Sequence, residues 1–551
     1  MSTTSTFDNE TRAREASAPA WASLLVQHAH FIALLVVIAA CVTVTHLHNA
    51  FISLFEGGGY LSGARRILDG QVPYRDFFLM YSPLRYYWAA FLLKATPSPI
   101  DAQWLFYDSL NFASAIAAYL TVRQFTQSKA LQLLAPVAAF TWCAGSERMI
   151  FPLACVLLAA LARRTGRETA MVGAGVAAAL AGFTLQDLLP YTAAPVVVWL
   201  VVLLLIARND ADSAGAAKVV KLGGAFIGGI AAGTLPIVAA MAATHSLSAF
   251  VRDVYVIPMR HYNELPLTSF PKLTAMPEAA PDGSLWDRVP GGKLIIWSLN
   301  TLPFFFVPLV SLAAAGLSLS ALAARRNRDA AAASLLVALL GLGLFRAVMM
   351  RPDLPHLHGN ALPAALSAIG LLDILALTLS RRGGVVGKLG VLAVSAACVG
   401  MLFFLLYSPL KDLKRHAVTY QVEAGMRPRT TMDKWPQTSQ VIEFVAKHSA
   451  PSDKVFYAST IPFLYVLTNR NNPTRYDYFD PIIAGEVEGD ALRSLNADPP
   501  RYCVIEERQP LWKREFGRDF AVNIQRWIAG RYTPVQRYND FVIYGRKPSS
   551  L

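Results

Sequence analysis

Charge is scarce in this chain. Asp, Glu, Lys and Arg make up only 16% of its 551 residues, while hydrophobic residues make up 54%. A soluble domain carries about 25% charged residues, and the mean hydropathy here is +0.38. An ordinary soluble globular protein is excluded. Cysteine is also scarce, with five in all. Cys41, Cys143, Cys155 and Cys398 lie in apolar runs and only Cys503 in the polar tail, so no disulfide framework is implied. The chain lacks a phosphate-binding P-loop, a dinucleotide fingerprint, a HExxH pair and a Ser nucleophile elbow. That argues against an ATP-driven pump and against a protease. The net charge of +13 does not signal nucleic acid, because the basic residues are spread over many short segments and form no continuous face.

What is present is a rhythm of long apolar runs and short basic clusters. The clusters are Arg12 with Arg14, Arg123 with Lys129, Arg163/Arg164/Arg167, Arg208 with Lys218/Lys221, Arg325/Arg326/Arg328, and Arg381/Arg382/Lys388. A span needs about 20 apolar residues, and loops on the cytoplasmic side carry the excess of Lys and Arg. Spans are expected near 29–51, 102–122, 130–146, 148–162, 169–186, 188–207, 222–244, 293–322, 330–350, 361–380 and 389–410. The expectation is an α-helical polytopic membrane protein of about 11 transmembrane helices. Putting every basic cluster in the cytoplasm places the N-terminus inside, and puts segments 52–101, 245–292 and 351–360 and the tail outside. No cleavable leader is expected, since the stretch before the first run is polar and that run is long enough to stay as a span. The runs 130–146 and 148–162 are short, and Gly145-Ser146-Glu147-Arg148 alone parts them, so they form a tight hairpin or one broken helix.

Three parts follow: a cytoplasmic segment 1–28, a multi-span part 29–410 and an extracytoplasmic α/β domain 411–551. In the tail, 438–448 has helical spacing, Lys454–Ala458 reads as a strand and 461–468 as a short helix. Arg501–Glu506 and Phe541–Gly545 read as strands, with a helix at 519–530 between them. Strands alternating with helices indicate an α/β domain.

The richest chemistry lies in residues 55–88, FEGGGYLSGARRILDGQVPYRDFFLMYSPLRYYW. Gly57-Gly58-Gly59 allows an irregular turn after the first span. Tyr60, Ala64, Ile67 and Leu68 then recur at helical spacing, with Arg65, Arg66 and Asp69 on the other side and Gly70 as a stop. This describes a short amphipathic helix on the membrane surface, with Glu56 just before it. Val72-Pro73-Tyr74 should be extended, because the residue before proline avoids the helical region. Arg75, Asp76 and a row of aromatics suited to the headgroup level follow.

An acid at the end of the first span, Tyr-Leu and an Ala-Arg pair in a surface helix, then G-x-x-PYRDF and a Pro-Leu-aromatic segment follow in order. This resembles the first outer loop of the C-type (GT-C) membrane glycosyltransferases, which include the aminoarabinose and mannosyl transferases. The resemblance implies a multi-span enzyme that takes its sugar from a polyprenyl-phosphate donor, transfers it on the outer face and inverts the anomeric carbon. Glu56 falls where the family has its first-loop aspartate, four residues before Tyr60. The second acid common in relatives is Gly57 here, and the relatives' Lys-Pro-Pro reads Tyr81-Ser82-Pro83.

The chemistry asks for few groups. The acceptor hydroxyl needs a base, which a carboxylate can supply, and guanidinium binds phosphate through two donors. Glu56 and Asp76 are the candidate catalytic acids, and Arg65, Arg66 and Arg75 are candidate phosphate ligands. The bland readings are that Glu56 caps the surface helix, Asp76 only pairs with Arg75, and the arginines bind lipid headgroups.

Residues 351–358, RPDLPHLH, crowd Arg351, Asp353, His356 and His358 into one connection, after Arg346 within an apolar run. A similar stretch occurs at this place in many bacterial relatives. Arg351 and His356 are expected to bind donor phosphate, with Asp353 and His358 as further substrate contacts. A Zn or Mn site is the weaker reading, and a plain Arg351–Asp353 pair the structural one. In 245–292, Arg260, His261 and Tyr262 are candidate donor or acceptor contacts, with a solvated cover as the equal alternative; Tyr60 and Tyr74 are candidates in the first loop. Asp187 is a weak candidate. No cofactor is required beyond an optional divalent metal. The expected partners are a polyprenyl-phosphate-linked sugar, membrane lipid, and a glycan, lipid or protein acceptor. The expected location is a bacterial inner membrane. The alternatives are a transporter or flippase for lipid-linked sugars and a non-catalytic envelope scaffold. Inverted repeats and broken mid-membrane helices would mark the transporter; neither is evident, and the polar residues gather at the outer surface.

Overall fold

A computed structural model of the protein describes residues 20–48, 51–142, 146–261, 269–273, 292–382, 429–430, 435–509 and 514–547. In hydrocarbon a backbone must satisfy its own hydrogen bonds, and the apolar runs accordingly become helices. They are α1 (Ala20–His48), then after a two-residue strand β1 (Phe51–Ile52) the short α2 (Glu56–Leu68) and α3 (Leu84–Ala95), followed by α4 (Pro99–Val122). Next come α5 (Lys129–Gln132), α6 (Leu134–Trp142), α7 (Ile150–Thr165), α8 (Glu168–Thr184), α9 (Leu188–Asn209) and α10 (Ser213–Ala243). A short α11 (Leu247–Val251) runs through a π-helical turn at Arg252–Val256 into α12 (Ile257–His261). The membrane part continues with α13 (Gly292–Ala323), α14 (Arg328–Met350), α15 (Leu354–Asn360) and α16 (Leu362–Arg382).

Among the described residues five helices, at Leu188–Asn209, Ser213–Ala243, Asn300–Ala323, Arg328–Met350 and Leu362–Arg381, are long and apolar enough to cross a membrane. The expected run 130–146 is broken, because Leu133 caps α5 before α6 begins; α6 and α7 are separate helices. The expected span 389–410 lies outside the described residues, as do the N-terminal segment up to residue 19 and the start of the tail. Small residues set the packing of α8 on α10. A Cβ on Gly175 would lie 2.2 Å from the Phe226 carbonyl oxygen, and one on Gly229 2.1 Å from that of Val172. Glycine at both positions lets the two backbones approach closely.

The C-terminal region is α/β. Strand β2 (Arg429–Thr430) pairs in parallel with β1, fastening this region to the end of α1. Helix α17 (Trp435–His448), β3 (Val455–Ala458), α18 (Phe463–Thr468), α19 (Pro481–Ala497) and β4 (Tyr502–Glu506) follow. After the short pair β5 (Arg508–Gln509) and β6 (Arg514–Glu515) come α20 (Val522–Arg531), β7 (Tyr532–Tyr538) and β8 (Phe541–Arg546). The main sheet has the order β3-β4-β8-β7. β3 and β4 are parallel, and β8 runs antiparallel to both β4 and β7. All of β3 and the last four residues of β4 are buried.

Basic residues of the described clusters meet acids at one end of the bundle. Arg325 donates to Asp210 at 2.8 Å and Arg328 pairs with the same carboxylate. Arg163 lies 3.4 Å from Asp329, and the buried Asp373 accepts from the backbone N–H of Gln127 and Ser128 at 2.8 and 3.0 Å. The first loop, the π-turn, the 351–360 segment and the C-terminal region lie at the opposite end.

Candidate functional site

The Gly57–Gly59 triplet is not an irregular turn. It forms the first turn of α2, which begins at Glu56. The reason for glycine is contact on two sides: a Cβ on Gly57 would lie 2.4 Å from Gln103 Nε2 of α4, and one on Gly58 2.5 Å from Phe463 Cβ of α18. The helix start is thus wedged between the membrane bundle and the C-terminal region. Glu56 is exposed there, where the helix N-terminus favours negative charge.

Below Glu56 sits a buried polar group. Arg85 Nη1 donates to the Tyr60 hydroxyl at 2.9 Å, and its guanidinium lies 4.5 and 4.7 Å from the Tyr60 and Tyr81 ring centres. Its other arm closes on the Glu147 carboxylate. Burial pushes the Tyr60 hydroxyl pKa well up, and the Glu56 charge adds to this while Arg85 opposes it, so Tyr60 stays neutral.

Glu147 belongs to the turn between α6 and α7, which the sequence marks only as a connection. Its neighbour Arg148 donates to Asp187 at 2.8 Å. On its other side a Cβ on Gly359 would meet Ser146 Oγ at 3.4 Å and Arg148 Cδ at 3.7 Å. The turn therefore joins the first loop to the 351–360 segment.

In that segment Asp353 caps α15, accepting from the His356 N–H at 2.9 Å, and holds the His356 ring at 2.6 Å through Nδ1. Arg351 Nε donates to the other oxygen at 2.9 Å. Burial alone would raise the Asp353 pKa. The hydrogen bonds from His356 and the Arg351 charge overcome it and hold the carboxyl below its usual value. Burial lowers the pKa of His358. Arg346 is exposed on α14. Among the described residues no group of three or more His, Cys, Asp or Glu is placed to hold a metal ion.

The remaining sequence candidates lie elsewhere at this end. Val72-Pro73-Tyr74 is a closed turn, not an extended strand: the Asp76 N–H bonds the Val72 carbonyl at 2.9 Å, and Asp76 Oδ2 accepts from the Val72 N–H at 2.7 Å. Arg75 grips the same carboxylate at 2.8 and 2.9 Å. This bond chiefly holds the Asp76 pKa below the ordinary range. Tyr74 is buried with φ 67°, in the left-handed region. Arg475 donates to its carbonyl and lies 3.3 Å from the fully buried Asp253 of the π-turn, which Arg252 also holds at 2.8 Å. Arg66 turns to the C-terminal region, gripping Asp477 with Nε at 2.9 Å and Nη2 at 2.5 Å. Arg65 donates to the Tyr465 carbonyl at 2.5 Å. Arg260 and His261 meet Glu486 of α19 at 3.3 and 3.1 Å. Tyr262 lies outside the described residues.

No protein-family model matches the chain, and no curated protein matches it by sequence. Solved structures do match. An archaeal oligosaccharyltransferase from Archaeoglobus fulgidus, in complex with an inhibitory peptide and a dolichol-phosphate, superposes with a TM-score of 0.52 at 9% identity, over 96% of this chain and 75% of that one. The same enzyme tethered to an acceptor peptide gives 0.50 at 10% identity, over 96% and 75%. ArnT from Cupriavidus metallidurans, bound to undecaprenyl phosphate, gives 0.49 at 13% identity, over 94% and 98%. The chain thus shares its overall fold with this archaeal oligosaccharyltransferase.

Proposed function

We propose that the protein is a membrane glycosyltransferase that moves a sugar from a polyprenyl-phosphate donor to an envelope glycan, lipid or protein acceptor on the outer face of a bacterial inner membrane. One observation carries this reading. The turn Ser146–Arg148 ties the Glu56 helix, through Arg85 and Tyr60, to the Arg351–His356 segment. This linkage of an exposed carboxylate to a cation-bearing segment supports the reading. The oligosaccharyltransferase of the same fold was solved with a dolichol-phosphate, the chemical class of the donor proposed here.

In the reaction Glu56 takes the proton of an acceptor hydroxyl. The hydroxyl oxygen attacks the anomeric carbon from the face opposite the phosphate, the C–O bond to phosphate breaks, and configuration inverts. Arg351, with His356 when protonated, stabilises the departing polyprenyl phosphate. Asp353 holds both cations in place, which makes it a positioning residue.

The sidedness follows from the basic end of the bundle lying in the cytoplasm. Reporter fusions should place residue 215 inside and residues 280, 355 and 480 outside; residue 480 in the cytoplasm would overturn the reading. The activity is tested by mass spectrometry of envelope glycans and polyprenyl-phosphate sugars in a deletion strain. Loss of one glycan residue with build-up of its lipid-linked donor is the expected result. Unchanged glycans and donors would remove the proposal.

A further inference from the structure

On the far side of α2 from Glu56 lies a second cleft, between α2 and the C-terminal region, with a volume of about 390 Å³. That is within the usual range for small-molecule sites, but such sites are mostly apolar. This one is polar throughout. Four cations, Arg65, Arg66, Lys454 and Arg470, face two carboxylates, Asp69 and Asp477. Gln71, Asn471 and Asn472 add carboxamides, and Ser62 and Tyr465 add hydroxyls.

Part of this polarity maintains the domain junction. Arg66 is spent on Asp477 and the Thr474 carbonyl, and Arg470 on the Ser449 and Thr468 carbonyls at 2.6 Å. Part of it is left over. Arg65 uses Nη1 for Tyr465 and holds Asp69 only loosely, at 3.7 Å; its Nη2 has no protein partner among the described residues. The side chain of Asn471 is exposed and likewise has no hydrogen-bond partner among them. Lys454 meets only the half-exposed Asp498. Asn472 is spent on Tyr476, Asp477 and Thr474, and Gln71 Oε1 accepts from Arg66; the surplus is therefore cationic, with the Asn471 amide able to donate to and accept from hydroxyls.

The cleft is separate from the reacting centre. Arg65 is nine residues beyond Glu56, about 14 Å along the helix and about half a turn round it. A ligand here does not present its phosphate to Glu56.

We propose that this cleft binds an anionic saccharide, a uronate- or phosphate-bearing unit of the acceptor glycan distant from the hydroxyl that reacts. Guanidinium and ammonium pair with the acid, the Asn471 carboxamide and Asp69 with ring hydroxyls. Only the word acceptor rests on the glycosyltransferase reading.

The test is calorimetric titration of the full chain in nanodiscs of zwitterionic lipid with tetragalacturonate, glucose 6-phosphate and maltotetraose. At least one acidic ligand should bind, weaken as salt rises, and resist competition by excess undecaprenyl phosphate. The neutral tetrasaccharide should bind at least tenfold more weakly. Lys454→Glu should weaken the acidic ligand at least tenfold, and Arg65→Gln should do so in a protein whose thermal midpoint is checked alongside. The relative strength of the uronate and the phosphate names the acid. Equal binding of maltotetraose, displacement by undecaprenyl phosphate, or unchanged affinity in both variants overturns the proposal. Binding without any sugar transfer would keep this inference and remove the transferase. Transfer without any acidic binding would do the reverse.

Discussion

Arg85 and Glu147, far apart in sequence, form a buried ion pair beneath Tyr60, with side-chain exposures of 2% and 12%. A buried charge that loses its partner is worse than no pair at all. The two aromatic faces around Arg85 cannot replace a carboxylate.

Arg85→Ala is therefore expected to strand Glu147 and destabilise the protein by about 3–5 kcal/mol. Glu147→Gln, which keeps a hydrogen-bond acceptor, should cost less. Thermal unfolding in detergent reads both. Arg85→Ala with an unchanged midpoint would show that the pair is not formed.

The wedge at the start of α2 gives a second test. Gly58→Ala drives a methyl to 2.5 Å from Phe463 Cβ, whereas the same methyl on Gly59 meets only Pro462 Cγ at 3.6 Å. Overpacking of this kind costs about 1–3 kcal/mol, while Gly→Ala in open helix gains about 0.5–1 kcal/mol. Gly58→Ala should lower the midpoint and speed proteolysis between the bundle and the C-terminal region; Gly59→Ala should leave it equal or higher. Equal effects would mean the two parts do not meet at Gly58.

Much of this was legible in the sequence, for identifiable reasons. Within the described residues the expected apolar runs fall mostly on helix, because length and apolarity favour that state in a membrane, although 130–146 is broken at Leu133 and Phe51 at the end of the first run is in a strand. In the tail, β3, β4, β8 and α17 fall where periodicity put them. α19 was missed because Gly485 and Gly489 dilute its pattern. β7 was missed because it is an exposed edge strand carrying Pro534. The acid and cation segments were visible as polar residues beside spans. Arg85 was not, since it looks like one more interfacial residue among aromatics; its only signal is the absence of any acid within four residues. Arg65 and Arg66 read as phosphate ligands because helical spacing shows which face they share but not that the C-terminal region covers it.

The Arg351–Asp353–His356 group makes a prediction in pH. The folded-state pKa of Asp353 is held below its usual 3.8, so the group's contribution is complete above that value and is lost as pH falls through the lower, folded value. Asp353→Asn should be least stable relative to wild type above pH 4 and converge on it in stronger acid. If Arg351 binds donor phosphate, Arg351→Ala should weaken donor binding about ten- to a hundredfold, the range for a charged hydrogen bond of about 1.5–3 kcal/mol. Arg351→Lys should recover only part, lacking the planar fork. Unchanged donor affinity in purified Arg351→Ala protein would leave the segment a structural pair.

The two acids of the first loop are separable by what surrounds them. Asp76 is already engaged, with both oxygens on Arg75 and one on the Val72 N–H, and a carboxylate so held is a poor proton acceptor. Glu56 is exposed at the mouth of the helix with Tyr60 and Arg85 beneath it. Glu56→Gln should lower turnover by about 10²–10⁴, the usual range for losing a general base. Donor affinity should hold, because the amide keeps the shape. Asp76→Asn should loosen the 72–76 turn by about 0.5–1.5 kcal/mol and, through it, reduce turnover less. Single-turnover assays with a synthetic polyprenyl-phosphate sugar, alongside unfolding curves, separate the cases. A nearly active Glu56→Gln with a stable but dead Asp76→Asn would exchange the two roles. Two active variants would mean that neither acid is the base, and the transferase mechanism would fall.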